Sequence, residues 1–290
     1  MTRNYRRIVW NILIFFTFPC ELEGGRVQCR PPSLAVRATA GKPVVTHSER
    51  RPAGLPAEAR RAKAGAMSSE SNSIVCLISG RGSNLEALLR TARDEEWATG
   101  RRTACAMHVA AVISNRRDAR GLDVARAYGV PATVLPHGDF ARREAFDEAL
   151  SQAIDAHRPA LVVLAGFMRV LTPGFVARYR GRLLNIHPSL LPAFAGLNTH
   201  RRALQAGVRV HGATVHFVSD QLDGGPIVAQ AAVPVWPDDS EQALAARVLE
   251  QEHLLLPRCI RWILEGRVRL DGEHVVSEGV GRQDLLLVAR

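Results

Sequence analysis

From residue 73 onward, short unbroken apolar runs alternate with stretches in which apolar residues recur at helical spacing. Ser73-Ile74-Val75-Cys76-Leu77-Ile78-Ser79 is continuous, as expected of a parallel strand covered on both faces. Gly80-Arg81-Gly82-Ser83-Asn84 follows, and then Leu85, Leu88 and Leu89 fall on one helical face. Further strands are predicted over 106–114, 132–135, 161–165 and 182–186, with helices over 118–128 and 141–157 between them. Thr172-Pro173 reads as an N-cap and first helical position. Beyond it lie a short helix over 200–206, alternating strands over 208–219 and 227–235, and a helix opened by Asp238-Asp239-Ser240-Glu241. Two short β-like runs around Asp271-Gly272 read as a hairpin. The alternation predicts an α/β fold with a doubly wound, mainly parallel sheet and a Rossmann-like N-terminal half.

The first 66 residues differ. Arg3, Arg6 and Arg7 precede an apolar run, Ile8 to Pro19, too short to span a membrane. Residues 20–66 are rich in Arg, Pro, Ala and Gly without periodicity, the composition of a disordered extension. The composition shifts sharply at Met67, which predicts a natural start there and an over-extended reading frame upstream. A secretion signal and an organelle-targeting segment are the competing readings of the basic-then-apolar start.

The net charge of +10 raises a nucleic-acid reading, but its distribution removes it. Residues 1–66 carry 12 Lys and Arg against 4 Asp and Glu, while the other 224 carry 26 against 24. The folded part is therefore nearly neutral, with no basic stripe and no membrane segment. Cys20, Cys29, Cys76, Cys105 and Cys259 show neither a paired framework nor Cys/His metal spacing, a reduced, cytoplasmic pattern that predicts no metal.

Candidate chemistry gathers at Leu183-Leu184-Asn185-Ile186-His187-Pro188. Asn185 and His187 are two apart and share one side of an extended strand, which Pro188 ends because it has no N–H to donate. The carboxyl ends of strands are where open α/β sheets bind ligands. Asp223, in Asp223-Gly224-Gly225-Pro226, is the third member of a possible working set, although a plain turn residue also fits it. An Asn amide can donate to a developing oxyanion, a His can move a proton, and a carboxylate can hold the imidazole. That set suits acyl transfer to an amine. No Ser or Cys sits in a nucleophile-elbow context, which argues against a covalent intermediate. The first Gly-rich turn, at a helix start, suits an anion such as phosphate, but it is neither a Walker motif nor a complete G-x-G-x-x-G.

Four segments occur in order: Ile78-Ser79-Gly80-Arg81-Gly82-Ser83-Asn84-Leu85, Leu164-Ala165-Gly166-Phe167-Met168-Arg169, Asn185 through Pro192, and Asp223 through Pro226. Together they resemble the folate-dependent phosphoribosylglycinamide formyltransferases over roughly residues 73–270, making 67–290 a formyltransferase domain. The resemblance implies formyl transfer from 10-formyltetrahydrofolate, a cosubstrate, to the glycinamide amine in purine synthesis. It implies small-molecule substrates and a monomer or weak homodimer. It implies that Asn185 stabilises the tetrahedral intermediate, that His187 is the proton donor and that Asp223 tunes it. Gly82, Ser83 and Asn84 would hold the substrate phosphate, with Glu252 on the ribose or glycinamide portion beside Leu249, Glu250 and Gln251. Arg143, Met168, Arg169, Val170, Leu171, Asn185 and Ser219, Asp220, Gln221, Leu222 and Asp223 would form the folate pocket, Met168, Val170 and Leu171 giving an apolar wall. Ala195 and Asn198 depart from the Pro and His common in the family, and Arg81 fills a variable position.

Three rivals remain at this point. A formyltetrahydrofolate hydrolase carries an N-terminal βαββαβ regulatory domain, and residues 1–66 show no such pattern. A methionyl-tRNA formyltransferase needs a further C-terminal RNA-binding domain, for which the residues after Leu270 are too few. A dinucleotide-binding module needs an acidic residue ending the second strand, where Ser114-Asn115-Arg116 stands.

Overall fold

The computed structural model describes residues 20–23, 26–29 and 72–289. The chain divides into two compact units, Met1–Gly65 and Ala66–Arg290. In the first, Cys20–Glu23 and Arg26–Cys29 pair antiparallel, where the sequence pattern predicts no regular element. The rest of the expected disordered extension, and the start expected at Met67, lie outside the described residues.

The second unit is built on one eight-stranded sheet. Its elements are β1 (Asn72–Ile78), α1 (Ser83–Asp94), β2 (Met107–Ser114), α2 (Gly121–Ala127), β3 (Ala132–Val134), α3 (Arg143–Asp155), β4 (Leu161–Leu164), α4 (Pro173–Arg178), β5 (Leu183–His187), α5 (Thr199–Ala206), β6 (Val210–Phe217), β7 (Ile227–Pro234) and α6 (Glu241–Leu264). A two-stranded hairpin, β8 (Val268–Asp271) and β9 (His274–Ser277), precedes the edge strand β10 (Leu286–Val288). The sheet order is β10-β7-β6-β5-β4-β1-β2-β3. The pairs from β5 through β3 are parallel, as is β10 with β7, while β6 runs antiparallel to both β5 and β7.

The unbroken apolar runs have a simple cause. Alternate residues of each central strand enter different cores. Ile74, Cys76, Ile78, Leu161 and Val163 pack on one face with α1 and α6 through Leu85, Leu88, Leu255, Leu256 and Ile260. Val75, Leu77, Val162 and Leu164 pack on the other with α3 and α4 through Phe146, Leu150, Phe175 and Tyr179. A smaller core joins α5 and the first half of α6 to Ala213 and Val233. Thr172 caps α4 as expected, its Oγ1 accepting from Phe175 N at 3.4 Å, with Pro173 behind it.

The core beneath α3 and α4 reaches Leu183 of β5 but contains no residue of β6 or β7. On those strands the same face carries Thr214, His216 and Gln230 where they adjoin β5 or one another. The helix layer therefore ends beside the row that holds Asn185 and His187. The helix expected from Asp118 begins at Gly121, because the Asp118 carboxylate is bound to Arg116 at 2.7 Å and Gly121 N donates to Gly80 O at 3.0 Å. Strand β10 was not expected; three residues are too few to show a period.

Strands β6 and β7 approach closely at Gly212. A Cβ there would lie 1.8 Å from Ala231 O and 3.0 Å from Leu190 Cδ2. Gly212→Ala must push the two strands apart, and it is expected to destabilise the fold by about 1–3 kcal/mol, read as a lower urea midpoint at unchanged slope.

Candidate active site

Antiparallel pairing of β5 with β6 sets Asn185 opposite His216 and His187 opposite Thr214. Apolar neighbours fix the register: Leu184 and Ile186 on β5, with Val215 and Phe217 on β6, are buried on the far face. The polar residues between them must then share the near face.

His216 is buried and determines how Asn185 points. Its Nδ1 lies 2.9 Å from Phe217 O, which can only accept, so Nδ1 carries the proton. Its Nε2 is then an acceptor, and it takes an N–H from Asn185 Nδ2 at 3.1 Å. Burial pushes the His216 pKa down, which keeps this neutral tautomer. The second N–H of the Asn185 amide remains available to a reactant.

His187 is held between two acceptors. Its Nε2 lies 3.2 Å from Phe194 O, and its Nδ1 lies 3.4 Å from Asp223 Oδ2. Both side chains are under a tenth exposed. Asp223 is no plain turn residue: Gly196 N donates to its Oδ2 at 2.8 Å, and its Oδ1 lies 4.0 Å from His216 Nε2. Its φ of +51° is one that Asp tolerates better than most residues. The turn folds back on β6 because Gly225 is bare: a Cβ there would lie 1.8 Å from Phe217 O. Asn185, His187 and Asp223 thus converge around a shared neighbour, His216, to which no local sequence motif points. Only the cross-strand register reveals it.

The Gly-rich turn forms a second polar centre. Gly82, at φ +80°, is the N-cap of α1, and a Cβ on it would meet Gly121 Cα at 2.5 Å. Ser83 opens the helix, whose first N–H groups have no partner one turn back. Asn84 Nδ2 donates to Glu252 Oε2 at 2.6 Å, and Asn84 Oδ1 is buried with no partner among the described residues. Of the α6 positions, Glu252 alone reaches this turn by a hydrogen bond; Leu249 and Gln251 are half-buried and Glu250 is exposed. Ser79, just before the Gly-rich turn, donates through its Oγ to Asn115 Oδ1 at 2.6 Å and accepts from Met168 N at 2.8 Å.

Met168, Val170 and Leu222 are large apolar side chains left 73%, 54% and 59% exposed. Leu171 is buried, its side chain in the core under α3 and α4. Arg169 lies over the Phe146 ring, 4.7 Å from its centroid. Arg143 lines a surface cavity of about 610 Å³ with Asp147, Thr172 and Arg178, and none of Asn185, His187 and Asp223 lines it. Ser219 Oγ donates to Gln221 O at 3.2 Å, and Asp220 and Gln221 are exposed. Asn198, at φ +57°, is the N-cap of α5, and Ala195 O accepts from Arg202 at 2.6 Å.

Residues 72–260 match the formyl transferase domain family. The chain belongs to the formyl transferase family. This formyl transferase is 47% identical over 213 residues to phosphoribosylglycinamide formyltransferase of Escherichia coli, covering 71% of this chain and 97% of that one. It is 43% identical over 206 residues to the Haemophilus influenzae protein of the same name, covering 71% and 93%. The solved phosphoribosylglycinamide formyltransferase of Coxiella burnetii in complex with CHES matches with a TM-score of 0.68 at 41% identity, covering 76% of this chain and all of that one.

Within this formyl transferase, burial pushes the Glu252 carboxyl above its ordinary 4.5, against the opposing hydrogen bond from Asn84. As pH rises through that ordinary value the unfolded chain loses its proton first, so stability present below it is lost as pH climbs through the raised folded value. Glu252→Gln removes that penalty, and its amide can also donate to Asn84 Oδ1. Chemical denaturation of both proteins should show the Gln variant more stable at pH 7, with the gap closing below pH 4.5.

Proposed function

We propose that this formyl transferase moves the formyl group of 10-formyltetrahydrofolate to the amine of phosphoribosylglycinamide, by direct attack. The observation that carries the reading is the buried contact of His187 Nδ1 with Asp223 Oδ2 at 3.4 Å, beside an Asn185 amide oriented by His216. The close likeness to phosphoribosylglycinamide formyltransferases along nearly their whole length supports the choice of substrates.

In this proposal the substrate amine attacks the formyl carbon and forms the new C–N bond. The carbonyl π electrons pass to oxygen, where the free N–H of Asn185 stabilises the oxyanion in a nearly dry site. Collapse of the intermediate restores the carbonyl and breaks the old C–N bond, and His187 gives its proton to the departing folate nitrogen. Asp223 stabilises the imidazolium and returns the proton released by the attacking nitrogen. The protein's own contributions are proton transfer and charge stabilisation, and no covalent enzyme intermediate forms.

The acceptor's phosphate is assigned to Gly82, Ser83 and Asn84, where unpaired N–H groups and the positive end of the α1 dipole coincide. Glu252, already desolvated, would accept from hydroxyl or amine donors of the same molecule. The folate ring is assigned to the surface lined by Met168, Val170 and Leu222, because apolar side chains exposed together beside a polar centre mark a ligand surface. Arg143 is assigned to the carboxylate end of the folate.

Purified protein with 10-formyltetrahydrofolate should release folate product only when phosphoribosylglycinamide is present. Turnover that ignores the ribonucleotide points to a hydrolase instead. Asn185→Ala, His187→Ala and Asp223→Ala should each lower kcat by about 10²–10⁴ with unchanged melting behaviour. Near-normal turnover in any one of them removes the role assigned to that residue.

A further inference from the structure

We propose that Gln230 is a positioning residue for His187, acting through Thr214 and the Ser189–Leu191 segment; this rests on the reading of His187 as the proton donor. Gln230 stands opposite Thr214 in the β6–β7 ladder, and Thr214 stands opposite His187 in the β5–β6 ladder. The three residues form one row across three strands. Directly opposed residues of antiparallel strands project to the same face. The chain neighbours of Gln230, Ala229 and Ala231, are buried on the other face.

The hydrogen bonds along this row leave little freedom. Gln230 Nε2 donates to Leu191 O at 2.9 Å and to Thr214 Oγ1 at 3.0 Å. Leu191 O can only accept, which fixes the orientation of the amide. The Thr214 hydroxyl, fully buried, donates to Ser189 O at 2.7 Å and accepts from Leu191 N at 3.0 Å. With the bond from Gln230 it has one donor and two lone pairs, all used. A single amide and a single hydroxyl therefore satisfy Ser189 O, Leu191 N and Leu191 O.

That segment surrounds His187. Ser189 N donates to His187 O at 2.9 Å, and Ser189 Oγ donates to Ala193 O at 2.6 Å. Ala193 precedes Phe194, whose carbonyl faces His187 Nε2. The path from Gln230 thus runs through Thr214 and Ser189 to both the backbone and the ring of His187. Pro188 ends the β5 ladder, so these side-chain bonds take over the holding of the chain where strand pairing stops.

Gln230→Glu has the same shape but no N–H: it loses both donations and turns lone pairs toward Leu191 O and Thr214 Oγ1. A misplaced proton donor slows the chemical step and leaves ground-state binding alone. The expected result is a fall in kcat of about tenfold or more, with KM for both substrates within about twofold. Thr214→Val should behave alike, and Thr214→Ser, which keeps the hydroxyl, should hold kcat within about threefold of wild type. The double variant Gln230→Glu with Thr214→Val should fall no further than the weaker single, because both act through one segment. Gln230→Met, which removes the donor without adding charge, carries the test if Gln230→Glu does not fold. Wild-type kcat in a folded Gln230 variant overturns the inference, as does a loss confined to KM or a Thr214→Ser variant as poor as Thr214→Val. A His187→Ala variant that keeps turnover overturns the underlying reading instead.

Discussion

Two cross-strand pairs, Asn185 with His216 and His187 with Thr214, lie at the centre of the candidate site, and their own attraction does not set the register that brings them together. Their register is set on the opposite face, where Leu184, Ile186, Val215, Phe217, Ala229 and Ala231 are withdrawn from water. Sliding β6 by one residue would swap its apolar and polar sets between the two faces of the sheet. Burying a Leu, Ile or Phe side chain is worth about 1.5–3 kcal/mol, against about 1 kcal/mol for a typical net hydrogen bond. Apolar burial therefore fixes which polar atoms meet, and the hydrogen bonds then select tautomers and amide orientations within that arrangement.

The two buried carboxylates are treated differently by their surroundings. Asp223 accepts an N–H from Gly196 and faces the ring of His187. Among the described residues Glu252 has only Asn84, and desolvation prevails. A carboxyl that meets a ligand's donors gains from being under-satisfied, because each new hydrogen bond then replaces a deficit rather than a bond to water. The unpartnered Asn84 Oδ1 belongs to the same logic.

Most of the fold was legible because the doubly wound core writes strong patterns: unbroken runs for strands buried on both faces, and capping residues such as Thr172 and Ser240 for helices. Asn185 and His187 were legible because their spacing and the following Pro188 place them on one face at a strand end. His216, Thr214 and Gln230 were not, because each acts through a partner on another strand and pairing register leaves no local mark. The side that Leu171 faces was illegible for a related reason. An apolar residue between exposed Val170 and the α4 cap carries no sign of which side it faces, and here it joins the core with Phe146 and Phe175. Strand β10 was missed because a three-residue strand is defined by the ladder it joins rather than by its own pattern.

In the proposed reaction the identity of the formyl acceptor does not reside in Asn185, His187 and Asp223. An amide aimed at an oxyanion, with an imidazole backed by a carboxylate, would pass a formyl group to water as readily as to an amine. In that proposal the acceptor is selected at the other polar centre, where the start of α1 and the middle of α6 meet through Asn84 and Glu252. Those residues are 168 positions apart, yet both α1 and α6 pack on the same apolar face of the sheet. The reacting centre lies on β5 and β6, the anchoring centre on the helices that cover β1 and β4. On the proposed reading one sheet sets the distance between the group that reacts and the group that is gripped, and a change of acceptor needs changes at the start of α1 and the middle of α6 while the strand row stays as it is.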